Sequence, residues 1–494
     1  MLFRKDVRMT IGKLSCALFC LTLGATMLWG QSDTPQTQDD ANRSVPPAAY
    51  GQENPVVVVN DNPPISGLDQ PSLEPNIQPR SMLLGGVEAS ESVDSNIGSD
   101  ARPAWHSVSR GLGGLTMQRL WSRYQLAAAY VGGVSFYNRA GLGLQQMHQL
   151  QAQQSLLWRT GQFTVRDSFS YLPEGAFGYG AYGGAGGFEL GLGGLGTGLG
   201  VLGSFGGHFG VLGSSQVGSL GQGPRLTNVA IADVVQGLSP RSSVTAAGSF
   251  GLVHFSDSAQ AFGGSQGFIN SQQVAGQAGY SYQVTPKDQL GVSYGYQEFH
   301  FPGFLIGTDN VTSHVVQGMY GHRITGRMDF VVSAGPQWTT IKDPISGTST
   351  RFTAAGRVSL RYRFKVAAMA LSFERYNTGG SGFFAGAQSN MAQANFSRPL
   401  GRRYHAEANL GYSHNQRLQD SLAGVAANTY NYGFAGFAVR RQFSYNWGAF
   451  LAYQWNDQIF DTCPVTTSTF CNRIAVRHVG TIGVDWHFRP IRID

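Results

Sequence analysis

The chain has 494 residues and a formal net charge of +6; 13% of it is charged, 12% is aromatic, and it carries 67 Gly and 20 Pro. Soluble domains hold about 25% charged residues, so this balance argues against an ordinary soluble enzyme. The basic residues are scattered and form no Lys/Arg track for a phosphate backbone, so no nucleic-acid partner is expected.

Residues 1–30 read as a secretory signal peptide. Arg4, Lys5, Arg8 and Lys13 make a positive start, an apolar stretch runs from Leu14 to Trp29, and Gly30 supplies a small residue for cleavage. A membrane anchor is the competing reading; the short segment and the polar, Pro-rich run after it favour a cleaved signal. Residues 31–120 are rich in Pro, Asn and Gln, as in Asp61-Asn62-Pro63-Pro64, and are expected to form a disordered periplasmic tail. Beyond Gly30 no apolar run is long enough for a spanning helix. A membrane protein without helices has to be a closed barrel, because only closure satisfies every backbone polar group in lipid.

From about Tyr124 the apolar residues recur with period two, the mark of strands with one apolar and one polar face. In 351–364, Phe352, Ala354, Gly356, Val358, Leu360, Tyr362 and Phe364 share one face, and Arg351, Thr353, Ala355, Arg357, Ser359, Arg361 and Arg363 the other. In 443–455, Phe443, Tyr445, Trp447, Ala449, Leu451, Tyr453 and Trp455 alternate with polar or small residues, with aromatics at both ends. Further strands are expected at 123–137, 144–158, 162–172, 227–237, 243–255, 273–284, 289–300, 313–324, 328–340, 366–376, 390–397, 403–414, 429–440 and 474–488, giving sixteen in all, within a range of 14–18.

Tight turns at 160–161, 239–241, 285–288, 325–327, 364–365, 399–401 and 440–442 alternate with long connections at 173–226, 256–272, 301–312, 341–350, 377–389, 415–428 and 456–473. Short periplasmic turns alternating with long outer loops define an up-and-down outer-membrane barrel. A soluble propeller would show a blade repeat of about 40 residues, and none is present. The expected fold is therefore an all-β, antiparallel transmembrane barrel over 121–494, with a Gly-rich outer loop at 173–226.

The ending Thr481-Ile-Gly483-Val-Asp-Trp486-His-Phe488 resembles the C-terminal signal read by the barrel-assembly machinery, with Gly483, Trp486 and Phe488 in the signal positions; here Arg489–Asp494 follow it. Ser168-Phe-Ser-Tyr-Leu-Pro-Glu174 with Phe177-Gly178, Gly379-Gly-Ser-Gly-Phe-Phe-Ala-Gly386, and Asp485-Trp-His-Phe-Arg-Pro490 extend the resemblance to Gram-negative outer-membrane barrels of exopolysaccharide-export gene clusters, over about residues 120–490. The resemblance implies an outer-membrane location, with lipid and the assembly machinery as partners, and no catalytic role.

The polar faces nominate lumen-lining residues: Gln277, Gln283, Gln297, Gln317, Arg323, Gln337, Arg357, Arg361, Arg363, Glu407, Asn409, Asn446 and Arg477. Arginines on one wall would raise the local concentration of anions; plain solvation of a wet lumen is the alternative. Cys463 and Cys471 share the last outer loop in an oxidising compartment, which favours a disulfide. Gly178-x-Gly-x-x-Gly183 and Gly191-x-Gly-x-x-Gly196 match a dinucleotide-binding pattern without its βαβ context. They are read instead as parts of a loop that is either flexible outside or folded into the lumen. The histidines lack metal-ligand spacing, and neither metal nor cofactor is expected.

One misfit remains. Asp167 and Asp233 fall on the apolar phases of 162–172 and 227–237, which suggests a wall covered by a second protomer or a packed segment. The expected function is a porin-like channel for small polar or anionic solutes, not an enzyme. A barrel serving exopolysaccharide secretion and an outer-membrane hydrolase are the alternatives.

Overall fold

The alternation closes into one antiparallel sheet. The computed structural model describes residues 81–493, except 98–103, 139–142, 173–223, 256–268, 303–309, 344–346, 381–383, 419–426, 462–473 and the single positions 326, 365, 402, 445 and 490; the side chains of Arg361 and Arg363 are also outside the description. The strands are β1 (Met82–Asp94), β2 (His106–Leu120), β3 (Tyr124–Tyr137), β4 (Gly143–Trp158), β5 (Gly161–Leu172), β6 (Arg225–Ser239), β7 (Ser242–Phe255), β8 (Ser271–Thr285), β9 (Asp288–His300), β10 (Asn310–Thr325), β11 (Met328–Asp343), β12 (Gly347–Arg363), β13 (Ala368–Thr378), β14 (Ala387–Pro399), β15 (Tyr404–Arg417), β16 (Thr429–Gln442), β17 (Trp447–Phe460) and β18 (Ile474–His487). Each pairs with the next, and β18 returns to β1 in a ladder running from Gly86↔His487 to Asp94↔Val479.

The barrel thus has eighteen strands, which corrects the expected sixteen. The two further strands, β1 and β2, come from the segment read as a disordered tail, so the barrel begins at Met82. Their pattern is weak for a physical reason. The inward face of β1 carries Glu88, Ser90, Ser92 and Asp94, and its outward face carries Glu91 among Val87, Ala89 and Val93. The outward face of β2 holds Ser109, Gly111 and Gly113 before the first large apolar residue, Leu115. Neither reads as a hydrophobic alternation.

The residues at the end of β18 and beyond it also join the sheet. Phe488 donates its N–H to the Gly85 carbonyl at 3.1 Å. Ile491–Arg492 forms a two-residue strand on Met82 and Leu83.

One barrel end carries tight connections such as Thr160, Pro240-Arg241 and Pro286-Lys287; the other carries the longer ones. The expected long loop at 341–350 is replaced by strand: β11 and β12 stay paired out to Asp343↔Gly347, where Gly347 takes a positive φ of 83°. The expected strand 443–455 starts later. Ser444 Oγ accepts the N–H groups of Asn446 and Trp447 at 3.3 and 3.2 Å, and β17 begins only at Trp447.

The outward face is apolar around the barrel, with Val292, Leu451 and Ile482 more than half exposed. Aromatics gather toward the ends. At the short-turn end, Arg119 lies over Trp121 at 4.7 Å, and Arg441 over Tyr404 and Phe443 at 5.3 and 4.9 Å. Toward the long-loop end, Trp338 meets Phe352 edge-on at 5.5 Å. Three diagonal pairs lie on the same face: Tyr130–His148, Tyr294–His314 and Tyr453–His478, each with hydroxyl and Nδ1 at 2.8–2.9 Å. Rings that carry one polar atom suit the two lipid–water interfaces.

Candidate functional site

Four arginines of the inner wall are each paired with a carboxylate. Arg477 on β18 points inward, where its Nε donates to both Asp94 carboxylate oxygens at 2.9 and 2.8 Å across the closing seam; both side chains are buried. Arg357 on β12 faces Glu374, its direct neighbour on β13, at 3.3 Å. Arg166 on β5 meets Asp233 on β6 at 3.6 Å. Arg440 on β16 reaches Asp485 on β18 at 2.7 Å, past β17. Gly448 makes that reach sterically open, because a Cβ there would stand 2.7 Å from the Asp485 carboxylate. Buried charges need such partners, and losing one partner of a buried pair typically costs about 3–5 kcal/mol.

The expected lumen residues divide accordingly. Gln277, Gln317 and Arg323 lie on the inward register of β8 and β10, half-buried. Gln337 is fully buried beside Thr339, and Gln297 is equally enclosed on β9. Arg357 and Arg477 face inward but are held by carboxylates. Asn446 is not on the barrel wall; it sits in the turn before β17, which begins only at Trp447, and donates to the His487 carbonyl at 2.6 Å. The side chains of Arg361 and Arg363, together with Cys463, Cys471 and most of the Gly-rich loop, lie outside the described residues.

Asp167 and Asp233 do not share a wall. Asp233 is buried inward against Arg166, with Val229, Ile231 and Val235 on the same inward face. Asp167 faces outward and accepts a hydrogen bond from Asn228 at 3.1 Å. The alternation of β6 was read with its faces exchanged: Val229 and Ile231 pack inside the barrel against Ala275 and Ala247. Apolar side chains inside a barrel defeat the rule that the apolar phase meets lipid. The two acids therefore do not share the one outward face on which the covered wall was expected.

The outer end of the wall holds a feature that the alternation did not reveal. β13 pairs with β12 only as far as Gly356↔Arg375, whereas β12 continues along β11 to Gly347. Beyond Arg375, β13 leans inside. Asn377 Nδ2 donates to Ser313 Oγ on β10 at 2.9 Å and to Thr339 Oγ1 on β11 at 2.7 Å. Gln297 on β9 donates to the Asn377 carbonyl at 3.5 Å. The Gly379–Gly386 motif follows, with Gly380 and Gly386 at φ of 79° and 88°, conformations that favour glycine.

After the turn, Phe384 packs on Tyr430 with ring centroids 5.5 Å apart and lies under the Arg417 guanidinium at 4.9 Å. Ala385 packs with Phe299, Phe301, Val311, Ile341 and Leu418. The tip of the β13–β14 hairpin thus bridges inward-facing residues of β9–β11 and of β16. Sequence reasoning singled out the glycine motif, but nothing in its spacing points into the barrel.

No protein-family model matches the chain, and no curated protein is detectably similar to it. Among solved structures it is similar to OpdQ of Pseudomonas aeruginosa (11% identity, 83% of this chain and 99% of that one, TM-score 0.40). It is also similar to OccAB2 of Acinetobacter baumannii (9%, 83% and 98%, TM-score 0.39) and to the FrpB iron transporter of Neisseria meningitidis (8%, 82% and 81%, TM-score 0.38). These values define neither a family nor an activity. The geometry itself gives the class: a closed antiparallel barrel, apolar outside and charge-bearing inside, with short turns at one end, is a transmembrane barrel of the Gram-negative outer membrane.

Proposed function

We propose that the protein is a diffusion channel for small polar solutes, with weak preference for either sign of charge. The observation that carries this reading is the pairing of the inner wall. A stripe of unpaired arginine would set up a one-sign field, but Arg166, Arg357, Arg440 and Arg477 each face a carboxylate. These four arginines therefore give no one-sign field of their own, while Gln277, Gln317 and their neighbours support the polar part of the expected substrate class.

The exopolysaccharide reading has no separate observation in its favour, and the in-turned hairpin lies where a polymer would leave. A hydrolase needs its polar groups convergent on one point, whereas here they are engaged in separate pairs around the wall. The test is reversal potential in a planar bilayer under a salt gradient. A cation-to-anion permeability ratio within about twofold of unity supports the proposal; strong selectivity of either sign opposes it.

A further inference from the structure

The in-turned tip of β13 has a second place to go. Residues Phe352–Ala355 of β12 pair with β11 on one side, and among the described residues no strand pairs with their other side. The β12–β13 register ends at Gly356↔Arg375. Continued by four steps, it sets Tyr376 against Ala355, Asn377 against Ala354, Thr378 against Thr353, and Gly379 against Phe352. The faces agree. Arg357 and Glu374 meet on the inner side of this ladder, and two steps on Tyr376 meets Ala355 on that same side. An open strand edge at the level of Trp338 and Phe352 is costly near lipid, so the edge has a standing demand for a partner.

The present seat of the tip leaves several polar groups unsatisfied among the described residues. Asn377 is tied through Nδ2 to Ser313 and Thr339, yet its Oδ1 has no hydrogen-bond partner among the described residues. The Gln337 Oε1 and Thr353 Oγ1 atoms, themselves cross-strand neighbours, are also buried without one among the described residues. Contact with the inner face of β10–β11 and pairing in the wall with β12 exclude each other. Both cannot be satisfied by one position of Asn377.

We propose that the β13 tip is a gate with two docking sites: the inner face of β9–β11, as seen here, and the unpaired outer edge of β12. Seated inside, it narrows the outer end; zipped onto β12, it completes the wall and clears the passage. The Arg357–Glu374 pair anchors the ladder just below the branch point, and Gly379, Gly380 and Gly386 supply the backbone freedom above it. This inference rests on the channel reading, and the experiment separates the two.

In a background with Cys463→Ser and Cys471→Ser, Ala354→Cys is combined with Asn377→Cys. Val358→Cys with Phe373→Cys, direct neighbours in the existing ladder, is the positive control. A third form, Asn377→Cys with Ser313→Cys, is bridged by a short dithiol cross-linker to hold the tip inside. We expect the 354/377 pair to oxidise in membranes, and the oxidised form to conduct at least threefold more than the 377/313 form, with both differences erased by reductant. Failure of 354/377 to cross-link while the control pair does overturns the gate. So does cross-linking with equal conductance in the two locked forms. Cross-linking with no current in any form, reduced or locked, overturns the channel reading and leaves the two positions of the tip standing.

Discussion

Arg477 and Asp94 are 383 residues apart in the chain and meet where the last full-length strand pairs with the first, with Nε of the arginine 2.8 and 2.9 Å from the two carboxylate oxygens. The pair lies in the ladder that closes the barrel, where Asp94 stands opposite Val479. Closure and charge burial are therefore one event. A guanidinium enclosed without its carboxylate is the costly state, so Asp94→Asn should destabilise the folded barrel by about 3–5 kcal/mol. Replacing both partners by Leu and Met should recover most of that loss. The temperature at which the folded band converts to the unfolded one on SDS gels reads the effect. A single mutant as heat-resistant as the parent would show that the pair does not hold the seam.

Gly483, expected from the sequence to belong to an assembly signal, sits at a tightly packed position. It stands directly opposite Phe450, and a Cβ on it would lie 2.4 Å from two ring carbons and 2.9 Å from Ser90 Cβ. Gly483→Val should cost about 1–3 kcal/mol through overpacking and slow assembly. Adding Phe450→Ala should restore part of the folded yield. If the second substitution restores nothing, recognition of the signal rather than packing is the duty of Gly483. Refolding yield into lipid vesicles, which needs no assembly machinery, distinguishes the two.

The two aspartates once expected on one wall should behave as opposites. Asp233→Leu leaves Arg166 buried without its partner and should lower stability by about 3–5 kcal/mol. Asp167→Leu removes a carboxylate from the outward face, where Asn228 and the Ser168 backbone engage it without a cation, and should be neutral or stabilising. Neither should change oligomeric state. Equal loss in both variants, read by heat-modifiability, would return the two residues to one environment.

How much of this was legible in the sequence depends on what faced each side chain. β12 declared itself because Phe352, Ala354 and Val358 share its outward face and alternate with polar residues such as Thr353 and Arg357. β1 and β2 did not, since a strand whose outward face holds Glu91, Ser109 and Gly111 looks like a linker. β6 was found but inverted, because Val229 and Ile231 pack inside. Arg357 and Arg477 were placed inward, but their partners Glu374 and Asp94 were not foreseen: one is fixed by a cross-strand register and the other lay in a segment not read as strand. The hairpin tip was out of reach for the same reason, as its position depends on where β12–β13 pairing stops.

The paired wall also predicts the result of a charge swap. Arg357→Glu alone sets two carboxylates side by side and should impair folding, whereas Arg357→Glu with Glu374→Arg should restore the folded yield and leave ion selectivity within about twofold of the parent. A swap that folds but turns the barrel strongly selective would mean that the pair is open to the permeating ion.

The most direct test of the account is single-channel recording of the purified full-length protein in a planar bilayer. The account predicts stepwise conductance with near-zero reversal potential under a salt gradient, and transitions between a low and a high level. A folded, heat-modifiable barrel that inserts and passes no current, or only a strongly anion-selective one, would contradict it.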